Sequence, residues 1–354
     1  MNINVETEQL SSCPVCGSIK TDFLFKNIDR LHGISGEFGL NHCRHCNAVY
    51  LSPRPTIKSL PLFYPDEYPP HQLNPLRPSG FLRGIKEHFR NTIIYNRYHY
   101  KKFEHKPRIQ PESLGTFLAY MFFFFDEKAR YNLPKELFPP YIKEVKALDI
   151  GCGPGHFLTI LKDLDFNVYG IEPSETAARI GKDKFGLDIK TGTLLDHKFP
   201  DNYFHFITMN HVLEHLHNPV DVLSEAKRIL HPNGMIRIQT PNIDAYGYKR
   251  FKNNWLPIDT PRHLIIYSKQ SIAALADKTG LELKTFSTTL TKSVLYRSLE
   301  YEIRSKANSK DFGFTGQYKT SQKLFINALN LYERMLILLG KDAGEELQAV
   351  LVKK

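Results

Sequence analysis

The sequence has no apolar run long enough to cross a bilayer. Its longest, Phe117 to Phe125, falls far short of the ~20 residues that a spanning helix needs. The first residues, MNINVETEQLSS, lack the basic start and the apolar stretch of a signal peptide, so a soluble, cytoplasmic protein is expected. Cysteine is scarce, at five residues, and there is a single tryptophan. No internal repeat is visible. What is present is an ordinary globular balance, 42% hydrophobic and 24% charged, which excludes a wholly disordered chain. A length of 354 residues exceeds the ~250–300 at which single cores give way to separate domains, so two or more units are expected.

The net charge of +10 is unevenly spread. Residues 81–108 hold eight Lys/Arg against two Asp/Glu, interleaved with six aromatics. Such a stretch suits nucleic acid, an acidic glycan or an anionic membrane surface, and it equally suits a solvated helix face.

Four of the five cysteines form two CxxC pairs, Cys13/Cys16 and Cys43/Cys46, separated by 26 residues. Two thiolates three apart can grip one tetrahedral ion, and two such grips complete a closed, structural zinc site. Gly17 and Asn47 follow the pairs, and both tolerate the positive φ of a tight knuckle. In a reducing compartment disulfides are disfavoured. The segment between the pairs has short apolar runs broken by glycine, as in a small β-ribbon. The Pro- and Tyr-rich stretch after it reads as an ordered linker packed by its aromatics.

From residue 145 the pattern changes. VKALDI is a short buried strand, followed by Gly151-Cys152-Gly153-Pro154-Gly155 and then by the helical pattern HFLTILKDL. Strand, glycine turn and helix in this order form the first unit of a nucleotide-binding sheet. The next strand, NVYGI, ends at Glu172, placed to accept hydrogen bonds from both ribose hydroxyls of an adenosine cofactor. His156 stands where a dinucleotide fingerprint would have its third glycine. The loop is G-x-G-x-G instead, preceded by Asp149.

LDIGCGPG, GIEPS, FPDNYFHFITMNHVLEHLHNP and LHPNGMIRIQTPN together resemble class I S-adenosylmethionine (SAM)-dependent methyltransferases. The cysteine segment resembles the zinc ribbon that precedes many bacterial polysaccharide and deoxysugar methyltransferases. NNWLPIDTPRHLIIYS resembles a stretch of that group and of ubiquinone-biosynthesis O-methyltransferases. The resemblance implies an α/β fold, a Rossmann-like seven-stranded sheet with helices on both faces, preceded by the zinc ribbon and a helical segment. It divides the chain at 1–75 (ribbon and linker), 76–140 (basic aromatic helices) and 141–354 (methyltransferase domain, substrate insert about 241–267). It also implies that Gly151, Gly153 and Gly155 line the methionine end of SAM, with Asp149 before them. Glu172 would then bind the ribose, Thr193 and Leu194 would lie beside adenine, and Asn210 would end the fourth strand. Two positions depart from the family pattern: Thr193 and His205 stand where acidic residues are common.

Expected elements downstream are a helix over 220–230, a strand over 235–239, and a helix from Ser268 that stops at Gly280. A strand over 281–286 follows, then a helix carrying Leu324, Ala328, Leu331, Met335 and Leu338. A final antiparallel strand closes the chain. Methyl transfer to a hydroxyl or an acidic carbon needs a base, and histidine suits that role near neutrality. The candidates are His215, with Glu214, in HVLEH, and His263 in the insert. His211 and His215 share a face if HVLEH is helical. HVLEH is not the H-E-x-x-H of zinc proteases, because Glu214 stands in the wrong place. A divalent ion on this cluster stays open. Trp255 and the insert tyrosines suit an aromatic wall over a sugar, or a packed lid. The acceptor expected is a small molecule, such as a sugar or nucleotide-sugar, or a surface polysaccharide. RNA methylation and a non-catalytic SAM-fold scaffold are the alternatives, and peripheral membrane contact and the oligomeric state stay open.

Overall fold

In the computed structural model the described residues are 5–64, 81–125, 144–307 and 314–354. The latter part of the linker expected up to residue 75, and residues 76–80 and 126–140 of the helical segment, lie outside them.

Thirteen strands form three sheets among the described residues. Near the N-terminus lie β1 (Thr7–Glu8), β2 (Thr21–Asn27), β3 (Phe38–Cys43), β4 (Val49–Leu51) and β5 (Arg54–Pro55). Farther along are β6 (Lys146–Ile150), β7 (Asn167–Glu172), β8 (Asp188–Thr191), β9 (Phe204–Asn210) and β10 (Leu230–Pro241). The last three are β11 (Ile265–Ile266), β12 (Leu281–Thr289) and β13 (Glu346–Lys353). The seven-stranded sheet runs β12-β13-β10-β9-β6-β7-β8. Its β6, β7 and β8 pair in parallel, while β13 lies antiparallel to β12, as expected of the closing strand. This is the Rossmann-like seven-stranded sheet that the motifs lead one to expect.

By contacts the chain divides into two compact units. One comprises Met1–Tyr68, Met209–Lys227 and Ile238–Lys354, and the other Pro69–Thr208 and Arg228–Arg237.

In the second unit, helices α1 (Phe81–Tyr98) and α2 (Glu112–Phe125), with the connection between them, place Ile93, Ile94, Tyr98, Tyr100, Phe103 and Ala119 in one core with Val145, Leu158, Leu161, Phe166 and Phe206. Tyr100 stacks on Phe166 at 6.0 Å. Three of the six aromatics in the basic stretch are thus buried and have no face free for a stacked base. Helix α3 (His156–Asp163) follows the glycine loop, and α4 (Glu175–Phe185) is capped by Ser174, whose hydroxyl accepts from Ala177 N–H.

In the first unit the ribbon sheet runs β11-β4-β3-β2. Its fourth strand comes from the end of the insert, with Ile265 opposite Tyr50 and Ile266 opposite Val49. The described part of the linker packs by Phe63, fully buried edge-on against Phe38 at 5.8 Å. Trp255 is buried as well, its indole N–H donating to the Glu345 carboxylate, so it is a core residue and not a wall over a ligand. Downstream lie helices α5 (Pro219–Ile229), α6 (Tyr246–Phe251), α7 (Lys269–Lys278), α8 (Lys292–Lys306) and α9 (Thr320–Leu338). Gly280 and Gly340, beyond α7 and α9, take the left-handed φ of helix ends, +68° and +77°. No helix among the described residues is long and apolar enough to cross a membrane.

Candidate active site

The four cysteines converge. Cys13 Sγ lies 3.7 Å from Cys46 Sγ, and Cys16 Sγ lies 3.6 Å from Cys43 Sγ. A tetrahedral zinc with bonds of ~2.3 Å sets its sulfurs about 3.8 Å apart, so the donor set fits a zinc ion. Gly17 and Asn47 have φ of +79° and +59°, and each donates its N–H back to the first cysteine of its pair. These two turns aim the thiols inward. The hydrogen bond from Cys46 draws the Cys13 thiol down to about 5, a thiolate ready for metal.

The cofactor loop shows a second donor set. Gly151, Gly153 and Gly155 all have positive φ, and a Cβ at Gly155 would meet Leu187 Cδ1 at 2.3 Å. Only glycine suits that bend. Glu172, at the end of β7, is buried. One of its carboxylate oxygens accepts from Gly153 N–H and the other from Ser174 N–H, both at 2.8 Å. Each oxygen keeps a further lone pair for a ribose hydroxyl, so the cradle fits the adenosine cofactor. Asp149 is buried, and its carboxylate accepts from the Thr208 hydroxyl at 2.6 Å. Thr193 caps the short turn Leu194–Asp196, with the Asp196 carboxylate accepting from its N–H and its hydroxyl at 2.7 Å each. Asp196 thereby supplies an acidic group three residues after Thr193, the position where the family commonly has one. Leu194 is buried.

Asn210 ends β9, and the histidine cluster follows it. Glu214, His215 and His263 bring their ligand-capable atoms within 4.8 Å of one another. The rings of His215 and His263 meet edge to face at 4.8 Å. HVLEH is not an α-helix: His211 has φ +53°, and only Leu213–His215 form a 3₁₀ turn. His211 and His215 therefore do not share a helical face. A left-handed residue at the strand end breaks the α period before it starts.

This break gives the groups different partners. His215 Nδ1 lies 2.9 Å from both the Arg262 carbonyl and the Tyr64 hydroxyl. A carbonyl only accepts, so Nδ1 carries the proton and the lone pair is on Nε2. His263 Nδ1 likewise donates to the Pro257 carbonyl at 2.7 Å. Burial, helped by the neighbouring His263, pushes His215 down to about 4 and keeps it neutral. Glu214 is fully buried. Its carboxylate accepts from His211 Nδ1 at 3.1 Å and from the Thr240 hydroxyl at 2.8 Å, and its backbone carbonyl accepts from Leu264 N–H. Burial opposes its charge, but His211 outweighs that and holds the carboxyl at about 2. His211 is raised to about 9 against desolvation by the Glu214 hydrogen bond and by the charges of Glu346 and Glu214. Glu346 lies 3.8 Å from His211 Nε2. Glu214, His215 and His263 lie close enough together to take a proton from a substrate or to hold a divalent ion.

Beneath the cluster, Arg262 is fully buried and pairs with Asp29 at 2.8 Å and with Asp259 at 2.6 Å. Sequence reasoning reached Glu214, His215 and His263. It missed Tyr64, Thr240, Glu346 and Asp29, which lie 26 to 233 residues from their partners along the chain, and no local pattern announces them.

Residues 112–285 match the family model described as "Methyltransferase domain". Those residues therefore carry a methyltransferase domain, preceded by the four-cysteine cluster that fits zinc. A probable S-adenosylmethionine-dependent methyltransferase of Mycolicibacterium smegmatis is 31% identical over 96 residues, 27% of this chain and 37% of that protein. The chain thus spans well under half of that relative's length. A ubiquinone biosynthesis O-methyltransferase of Rickettsia conorii is 25% identical, over 60% of this chain and 77% of that protein. A SAM-dependent methyltransferase structure from Archaeoglobus fulgidus covers 67% of this chain and 99% of its own, with 16% identity and a TM-score of 0.43.

Proposed function

We propose that this protein transfers a methyl group from SAM to a small-molecule acceptor, with His215 as the general base. The observation that carries this reading is the His215 tautomer. A backbone carbonyl fixes the proton on Nδ1 and burial keeps the ring neutral, which leaves the lone pair on Nε2 of a ring clustered with Glu214 and His263. The cofactor loop follows β6, and the cluster follows β9. Open α/β sheets bind ligands outside the carboxyl ends of their strands.

SAM supplies an electrophilic methyl group when bound. The protein's own tasks are to hold an acceptor atom in line with it and to take the acceptor's proton. Glu172 holds the ribose, and the glycine loop leaves room for the cofactor chain. His215 Nε2 takes the proton. Glu214 stays ionised beside it and offsets the charge that His215 gains. His263, fixed by the Pro257 carbonyl, packs edge to face against His215 and holds that ring in place.

The acceptor we favour is a hydroxylated small molecule. A sugar or nucleotide-sugar is the class to which the ribbon-plus-domain resemblance points. The Rickettsia relative, by name a ubiquinone biosynthesis O-methyltransferase, widens it to acceptors of quinone biosynthesis.

The test pairs two variants with SAM labelled in its methyl group and fractionated acceptor pools. Glu172→Ala should weaken SAM binding by about 1–3 kcal/mol, the cost of unpairing buried hydrogen-bonding groups. His215→Ala should keep SAM affinity and lower transfer roughly 10²–10⁴-fold. Label entering RNA and not the sugar or quinone fractions would sink the acceptor class. An undiminished rate in His215→Ala would pass the role of base to His263.

A further inference from the structure

Helix α9 is inside out. Its inward residues include Ile326, Asn330 and Glu333, all buried, two of them polar. The Glu333 carboxyl lies beside that of Glu345, which receives the Trp255 and Gly247 N–H groups. These polar contacts fix which side of the helix faces its own unit. The outward side carries Leu324, Ala328, Leu331, Met335 and Leu338, every one of them exposed. Their spacing is four, three, four, three, the heptad seam of a helix that packs on another helix.

We propose that this seam is the interface through which two copies of the chain associate, with the two α9 helices packed antiparallel. Its size fits. Leu324, Leu331, Tyr332, Met335, Leu338 and Leu339 are 46 to 72% exposed. At roughly 200 Å² per large side chain this leaves about 700 Å² of apolar surface on each copy. That exceeds the ~300–600 Å² patch of an ordinary monomer. Covered on both copies, it reaches the ~1,200–2,000 Å² of a specific interface. Side-chain size selects the antiparallel arrangement. A two-fold axis between Leu331 and Tyr332 sets Ala328 opposite Met335, small against large, and Leu324 opposite Leu339. A parallel pair would face Ala328 with Ala328 and leave a gap. Antiparallel helices also oppose their dipoles favourably. A lipid-facing helix is the competing occupant, but such helices turn a Lys/Arg-rich face to the headgroups, and here the face opposite the seam is buried in protein.

The full-length, zinc-loaded protein should sediment as a dimer at micromolar concentration. Leu331→Glu should make it monomeric while retaining the circular dichroism of the parent. Ile57→Glu, at an apolar site exposed elsewhere, should leave the dimer intact. Oxidising a mixture of Leu324→Cys and Leu339→Cys proteins should cross-link the two variants to each other, whereas Leu324→Cys alone should not cross-link to itself. A monomeric parent, a dimer that survives Leu331→Glu, or self-linking of Leu324→Cys would each overturn the proposal. So would a monomer that binds phosphatidylcholine/phosphatidylglycerol vesicles through Leu331.

Discussion

His211 and His215 lie four residues apart, yet the protein gives them opposite charge states. His211 shares a proton with Glu214 and faces Glu346, which raises it to about 9; His215, buried beside another imidazole, falls to about 4. The raised group adds stability that is complete below its unfolded value of ~6.5 and is lost as pH climbs through about 9. The melting temperature of the wild type should therefore fall between neutral pH and pH ~9.5. His211→Asn, which tolerates the left-handed φ, should flatten that decline. An identical alkaline decline in both proteins would show that His211 is not the titrating group. At this scale the sequence singled out the candidate groups that the structure brings together, because bases and thiolates have few candidates. It did not disclose their charge states, which depend on Glu346, Thr240 and Tyr64, contributed from far along the chain.

Elements were legible wherever local chemistry specifies them. The helix expected to start at Ser268 and stop at Gly280 does so: the Ser268 hydroxyl accepts from Ser271 N–H at 3.1 Å, and the Ser271 hydroxyl accepts in turn from Ser268 N–H. Ser268 Oγ also donates to the Cys46 carbonyl at 3.3 Å, tying the helix cap to a zinc knuckle. Ser268→Ala should thus cost about 1–2 kcal/mol, a full cap and not a marginal one, measured by denaturant unfolding. A change below about 0.5 kcal/mol would mean that the cap is dispensable. Where long-range geometry decides, local reading fell short. HVLEH carries a helical spacing but is broken by the φ of His211, and the strand expected over 235–239 extends from Leu230 to Pro241. The seam of α9 was legible as a periodicity. Its outward direction was not, because it depends on Asn330 and Glu333 taking the inward side.

At the scale of the molecule, the zinc ribbon shares a unit with the histidine cluster. Strand β11 of the insert is the fourth strand of the ribbon sheet, Leu264 donates its N–H to the Glu214 carbonyl, and Asp29 of the ribbon pairs with the buried Arg262 whose carbonyl orients His215. Zinc release should loosen the sheet that holds all three, since folding of a small metal site is largely driven by its metal. The glycine loop and Glu172 belong to the other unit. Stripping zinc with a chelator, or replacing Cys43 by serine, should therefore abolish methyl transfer while leaving SAM affinity nearly unchanged. Metal analysis of the untreated protein should give about one zinc per chain, the stoichiometry of a four-thiolate site. The decisive comparison is SAM binding by calorimetry alongside transfer of labelled methyl, in zinc-loaded and zinc-stripped protein. Loss of both together would mean that the metal supports the whole fold. Retention of both would reduce the ribbon to an appendage with no hold on His215.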